Sequence, residues 1–339
     1  MAHKMLQEDR KQSIKIILAF AAIYIIWGTT YLGIRIAVET MPPFLMAGTR
    51  FVFSGLLLFL ILRLRGAPMP KRVHWRSAFI IGAFLLVGGN GLVTWSEQQV
   101  PSSTAALVVA TVPLWIALFD WLIFKGARPG KRVTAGLLLG LLGIILLIGP
   151  GQILGTAGFS LTALAILLLA PLLWSLGSLY SREADLPEDT FMSTSMEMLA
   201  GGVLLLLAGL LTGEAGSLDA TAFSSRSLAA FVYLTIFGSI IAFSAYIWLL
   251  KFVPATKVAT YTYVNPVIAV FLGWLVLSEP ITPATIIAVI IIVLAVVLIT
   301  MREPKTAPLL KEHANEPAIP TALSPRITAE AQESDCLAV

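Results

Sequence analysis

Residues 95–121, WSEQQVPSSTAALVVATVPLWIALFDW, decide how this chain folds, because residues 248–274, WLLKFVPATKVATYTYVNPVIAVFLGW, are a second copy of them. Trp95, Val100, Pro101, Ala106, Pro113 and Trp121 recur, 153 positions on, as Trp248, Val253, Pro254, Ala259, Pro266 and Trp274. Two prolines and two tryptophans in register are poor candidates for coincidence. Both copies carry one plan: a helix end, a turn at Val-Pro, then an apolar helix with a proline near its middle. A duplicated helix pair with matching mid-helix prolines is what a central transport pathway needs.

The duplication reaches further back. At an offset of 147, Trp27, Leu32, Arg35, Ala37, Phe44, Gly55, Leu57 and Leu58 recur as Trp174, Leu179, Arg182, Ala184, Phe191, Gly202, Leu204 and Leu205. The offset grows by six because the loop near 212–227 is longer than its counterpart near 63–76.

Hydrophobic residues make up 58% of the chain and charged residues only 12%, against about 25% charged in soluble domains. An apolar excess spread along the whole sequence means that its solvent is lipid. Ten runs are long enough to span a bilayer: 15–34, 44–62, 77–96, 104–124, 133–149, 160–180, 191–211, 228–250, 257–277 and 283–300. Each is expected to be helical, since a lone strand in hydrocarbon leaves its backbone unpaired. The first run follows Lys4, Arg10, Lys11 and Lys15 as a signal peptide would. Its full-span length and the lack of a clear cleavage site make it a retained helix.

With the N-terminus in the cytoplasm, nearly all of the 23 basic residues fall in cytoplasmic segments. Arg35 and Arg226 fall outside and Arg50 falls within a span. That bias places both termini in the cytoplasm. The fold class is then all-α membrane protein, with ten transmembrane helices in two five-helix repeats. An odd number of spans per repeat inverts the second copy, an inverted repeat about an axis in the membrane plane. The domains read as a cytoplasmic segment 1–14, a first repeat 15–149, an external Gly-rich linker 150–159, a second repeat 160–300 and a disordered cytoplasmic tail 301–339. The net charge of +4 is spread through loops between apolar runs, which speaks for orientation rather than nucleic-acid binding. Cys336, the single cysteine, lies in the tail, so no disulfide within the chain is possible.

Tyr24-Ile25-Ile26-Trp27-Gly28-Thr29-Thr30-Tyr31, Met41-Pro42-Pro43-Phe44, Arg50-Phe51 and the paired Val-Pro turns resemble the EamA-type family of the drug/metabolite transporter superfamily. The resemblance covers about residues 15–300. It implies an inner-membrane permease that exports or exchanges amino acids, metabolites or drugs. The Glu-x-Pro-like ending that the family often has after the fourth helix of each half is kept at Ser278-Glu279-Pro280 and replaced by Lys125-Gly126-Ala127 in the first half.

Candidate pathway residues follow from the residue types. Pro113 and Pro266 remove the hydrogen bonds to the carbonyls of Val109 and Thr262, which makes both helices able to bend there. Thr111 and Trp115 share a face of the fourth span, Tyr261 and Asn265 of the ninth, and Asn90 and Thr94 of the third. Tyr246 lies in the eighth span, and Trp27, Thr30 and Trp174 at matched depths of the first and sixth. Together they suit a small amphipathic solute in an aromatic-walled pocket, although helix packing accounts for each of them separately. Arg50, Glu97, Glu197 and Glu279 are candidates for gating or coupling, because charge inside a membrane is expensive. Arg50 and Glu197 are repeat mates of opposite sign whose expected depths differ by roughly 10 Å. Arg50 is therefore expected to meet Glu97 or Glu279, and Glu197 to meet Lys251 or Lys257.

His3, His74 and His313 lie in loops or tails, and no metal-binding or nucleophile–base pattern falls in a span. No catalysis, cofactor or metal is expected. No filter motif or ring of like charge suggests a channel. The expected partners are a small-molecule substrate and the lipid bilayer. An uptake permease for another metabolite class, or an intramembrane enzyme or channel, are the alternatives, and substrate, flux direction, coupling ion and oligomeric state stay open.

Overall fold

The computed structural model describes residues 2–100, 102–148, 161–268 and 283–300. The linker, Ser278-Glu279-Pro280, the tail and Pro101 lie outside the described residues. No strand occurs among those described. The helices are α1 (Ala2–Ala37), α2 (Pro43–Leu64), α3 (Arg72–Ser96), α4 (Ser102–Val109), α5 (Val112–Leu122) and α6 (Lys131–Ile148). They continue as α7 (Leu161–Glu183), α8 (Thr190–Leu211), α9 (Ser225–Phe252), α10 (Ala255–Val258), α11 (residues 261–268) and α12 (Pro283–Thr300). Six of them, α1, α2, α3, α7, α8 and α9, are long and apolar enough to cross a membrane. Val112–Leu122 and Ile286–Ile299 are shorter apolar helices.

Polarity is distributed as lipid solvation demands. In α8, Ser193, Thr194, Ser195 and Glu197 are fully buried, while Leu207, Leu210 and Leu211 face outward. A soluble helix would show the reverse. Inside the bundle, small residues let backbones approach. A Cβ on Gly55 would lie 2.8 Å from the Leu199 nitrogen, one on Gly202 2.7 Å from the Val52 nitrogen, and one on Gly48 2.8 Å from the Leu206 nitrogen. The contacts step down α8 as they step up α2, so the two helices run antiparallel. Gly136 and Gly143 pack in the same way against Ile299 and Ile292 of α12, while Gly140 packs against Tyr263 of α11. The Gly136, Gly140 and Gly143 stripe is the contact surface of α6. α3 lies antiparallel to α7, with Gly88 against Leu173 and Gly177 against Leu85. α1 lies antiparallel to α9, with Gly33 against Leu234 and the Thr30 methyl against Gly238.

Several details depart from the sequence reading. α1 begins at Ala2, well ahead of the expected span start. The fourth span is broken at Ala110–Thr111, beside Pro113 as expected. In the second half the break falls at Ala259–Thr260, and α11 continues through Pro266. Tight turns there, Thr262 N–H to the Ala259 carbonyl and Tyr263 N–H to the Thr260 carbonyl, break the helix before the proline is reached. α3 and α9 also carry π-helical segments, Ala83–Gly91 and Leu234–Phe243, which no simple periodicity announces.

The first turn of α2 leaves backbone N–H groups free, and neither Pro42 nor Pro43 supplies a side-chain cap. Glu214 does so from the 212–224 loop, its carboxylate accepting from Phe44 N–H at 3.1 Å and Leu45 N–H at 2.9 Å. Glu214→Ala is expected to lower stability by about 0.5–2 kcal/mol, the usual worth of a cap. The check is a drop in melting temperature in detergent that Glu214→Asp partly restores.

Candidate functional site

Four aromatic rings meet at the centre of the bundle. Trp27 of α1 contacts Trp174 of α7 edge-on at 5.6 Å between centroids, Tyr246 of α9 at 5.1 Å and Tyr261 of α11 at 4.7 Å. Trp174 and Tyr246 lie 5.3 Å apart, and Tyr246 and Tyr261 5.8 Å. Such pairs contribute about 0.5–1.5 kcal/mol each beyond area burial. The polar edges of Trp27, Trp174 and Tyr246 are satisfied. Trp27 Nε1–H donates to the Gly238 carbonyl at 3.2 Å, Trp174 Nε1–H to the Tyr246 hydroxyl at 2.9 Å, and Ser178 shares a 2.5 Å hydrogen bond with that hydroxyl. The indole of Trp174 lies on Gly89 of the α3 π segment, where a Cβ would be 2.4 Å from the ring.

On one side of this quartet is a cavity of about 80 Å³. Trp27, Thr30, Asn90, Trp174, Tyr261 and Asn265, all expected from the sequence, line it, and so does Arg50. Trp27, Thr30, Tyr31 and Ile34 present one face of α1 to it. On the other side, a vestibule of about 600 Å³ is lined by Asp120, Arg182, Glu183, Glu188 and Lys251, with Leu179 and Leu250 nearest the quartet. Those leucines lie four or five residues beyond Trp174 and Tyr246, so about 6–8 Å of helix separates the compartments.

Arg50 is 3% exposed. Its Nη2 donates to Asn90 Oδ1 at 2.8 Å, and its guanidinium carbon lies 4.3 Å from the Phe51 ring centroid. Thr94 donates to the Asn90 carbonyl at 2.8 Å, which ties Asn90 down from the next turn. Arg50 Nε has no hydrogen-bond partner. The expected pairing of Arg50 with Glu97 does not form. Asn90 is at Arg50's depth, whereas Glu97 is seven residues, about 10 Å, further along α3. The cation beside Glu97 is Arg35, whose Nη1 donates to the Glu97 backbone carbonyl at 2.5 Å. Glu97 and Glu197 are fully buried, and their carboxyl oxygens make no hydrogen bonds. The expected pairing of Glu197 with Lys251 does not form either: Lys251 is a nearby cation, but its Nζ donates to the Glu188 carbonyl at 3.3 Å. Glu279 lies outside the described residues.

Other candidates fall elsewhere. Thr111, Pro113 and Trp115 do not line the cavity; Val109 and Val112 hold that place. Trp115 Nε1–H instead donates to Thr111 at 3.2 Å, and Thr111 to the Val108 carbonyl at 2.7 Å. The break at Ala110–Thr111 interrupts the helical phase that relates Thr111 to the preceding turn. Tyr246 belongs to the quartet but not to the cavity lining, Thr94 supports Asn90, and Pro266 is buried without reaching the cavity. Sequence reading missed Tyr31, Phe51 and Pro171, which also line it. Tyr31 was detectable, since it lies one turn from Trp27 on the same face.

The geometry agrees with what the chain is similar to. A model described as the EamA-like transporter family matches residues 14–149 and again residues 161–301. The chain belongs to the EamA-like transporter family. It is 40% identical over 306 residues to an Escherichia coli K12 protein named "Uncharacterized inner membrane transporter YedA", covering 88% of this chain and 96% of that one. It is 25% identical to "Uncharacterized transporter YoaV" of Bacillus subtilis, covering 82% and 94%. A solved crystal structure at 23% identity covers 84% of this chain and 97% of that one, with a TM-score of 0.66, and supports the helical fold.

Proposed function

We propose that this protein is an alternating-access secondary transporter of the cell inner membrane that exports or exchanges small amphipathic metabolites. The observation that carries the reading is the aromatic quartet, which stands between a cavity on one side and a polar vestibule on the other. A channel needs a continuous path; a carrier needs a barrier that can change sides. At about 80 Å³ the cavity is far below the ~300–1,000 Å³ of drug-sized sites. That favours metabolites over drugs.

The ten-span inverted architecture is part of the same proposal. The repeat mates α2 and α8 pack antiparallel, as do α6 and α12. The α1–α9 contact is answered by its mate, α7–α3. These are the self-pairings and exchanged pairings of a two-fold axis in the membrane plane. Trp27 and Trp174, mates themselves, meet at its centre. The two halves then differ in what surrounds that centre. Tyr246 and Tyr261 correspond to Val93 and Val108, so one half is filled by rings and the other leaves a cavity. With both termini in the cytoplasm, the cavity leans outward and the vestibule opens inward.

The test is counterflow in proteoliposomes. Labelled amino acids and short organic acids are expected to enter vesicles preloaded with the same solute, with saturation and trans-stimulation. Flux that stays linear with concentration, or no flux for any solute, removes the carrier reading.

A further inference from the structure

The polar groups of the cavity are not balanced among themselves, and the imbalance identifies a ligand class. Among the described residues that line it, Arg50 is the one charged side chain. It is buried, its Nε makes no hydrogen bond, and its one hydrogen-bond partner, Asn90, is neutral. Across the cavity Asn265, 1% exposed, has the Tyr31 hydroxyl as its polar neighbour, and neither of its amide atoms makes a hydrogen bond of good geometry. Buried polar groups in folded proteins are nearly always paired, and a buried cation is paired or faces a ligand. The two buried carboxyls among the described residues, Glu97 and Glu197, are not among the lining residues. The walls are Trp27, Trp174, Tyr261 and Val93.

We propose that Arg50 anchors the carboxylate of a small solute with a compact apolar body, either a monocarboxylate or an apolar amino acid, while Asn265 takes its remaining polar group. This rests on the carrier reading above and narrows its substrate. One guanidinium neutralises one negative charge, so a monoanionic carboxylate fits better than a dianionic phosphate. A guanidinium edge matches a carboxylate in geometry as well as charge. An amine without a carboxylate meets Arg50 as a like charge.

Matched probes decide it. Phenylacetate, phenylacetamide and phenethylamine, and isovalerate, isovaleramide and isoamylamine, are titrated calorimetrically into the full chain in lipid nanodiscs. The acids are expected to bind about 10–100-fold more tightly than their amides, and the amines more weakly than either. Arg50→Gln is expected to remove the advantage of each acid over its amide, weakening the acid far more than the amide. Arg50→Lys should retain part of the preference. If Arg50→Gln fails to fold, the wild-type acid-to-amide ratio still decides. Equal binding of acid and amide, tighter binding of the amine, or no binding of either acid overturns the proposal. The counterflow assay separates the two readings. Saturable exchange that prefers amines leaves the carrier and removes the anchor; acid-selective binding without exchange does the opposite.

Discussion

Gly82→Leu is expected to abolish folded protein. A Cβ at residue 82 would lie 2.6 Å from the backbone nitrogen of Gly201 and 2.8 Å from its Cα. Both are main-chain atoms, so no side-chain rotation relieves the clash. Gly201 is equally constrained, with the Leu86 side chain at 2.7 Å and the Gly82 carbonyl at 3.0 Å from its own Cβ position. Overpacking typically costs about 1–3 kcal/mol and occasionally more. This contact belongs at the top of that range or above it, because separating α3 from α8 also disturbs the π segment that carries Asn90 and Gly89. Gly216, with nothing within 4 Å of its Cβ position, is the control, and Gly216→Leu should behave as wild type. Size-exclusion profiles and melting curves in detergent give the answer. A Gly82→Leu protein that elutes as one sharp peak and melts with the wild type would mean that α3 and α8 do not approach so closely.

Residues with strong individual chemistry made the centre of this molecule legible in sequence. Trp27 and Trp174 were matched by their offset, and they touch. Asn90, Tyr261 and Asn265 stand out as polar or aromatic groups inside apolar spans, and they line one cavity. The seven-residue argument that separates Arg50 from Glu197 holds in the antiparallel α2–α8 contact. Stepping along that contact, Gly55 faces Leu199 and Gly48 faces Leu206, so Arg50 lies about two turns from Glu197. What could not be read was helical phase. A break or a π segment shifts every later residue by a fraction of a turn. Thr111 and Trp115 share a face, as their spacing predicts, but the break at Ala110–Thr111 gives the cavity Val109 and Val112 instead. Proline was likewise only half a guide. Pro113 follows the break in the fourth span, and Pro266 does not mark the one in the ninth. Pro171, three residues before Trp174, lines the cavity from within α7 without a repeat mate.

Trp174→Ala is expected to make vesicles that hold the protein leak. The indole contributes the edge-on contact with Trp27, the contact with Tyr246 and the hydrogen bond to the Tyr246 hydroxyl. The neighbour behind it is Gly89, which has no side chain to move into the vacated space. Removing the ring therefore joins the cavity to the vestibule across the single turn of helix that separates Trp174 and Tyr246 from Leu179 and Leu250. Truncating a buried tryptophan costs about 3–5 kcal/mol, so the variant is first screened for a monodisperse peak. In liposomes preloaded with labelled solute, wild-type protein should release the label slowly until unlabelled solute is added outside. The Trp174→Ala protein should release it at once, at a rate proportional to concentration and indifferent to external solute. Trp174→Phe keeps a ring but not the N–H, so it should retain the barrier with reduced stability. Trp115→Ala is the discriminating control. Trp115 matches Trp174 as an intramembrane tryptophan, yet it bonds to Thr111 away from the cavity, and its loss should leave the vesicles tight. If Trp174→Ala vesicles hold their contents as well as wild type, the barrier lies elsewhere along the pathway. If Trp115→Ala leaks equally, the leak reflects loosened packing rather than an opened quartet.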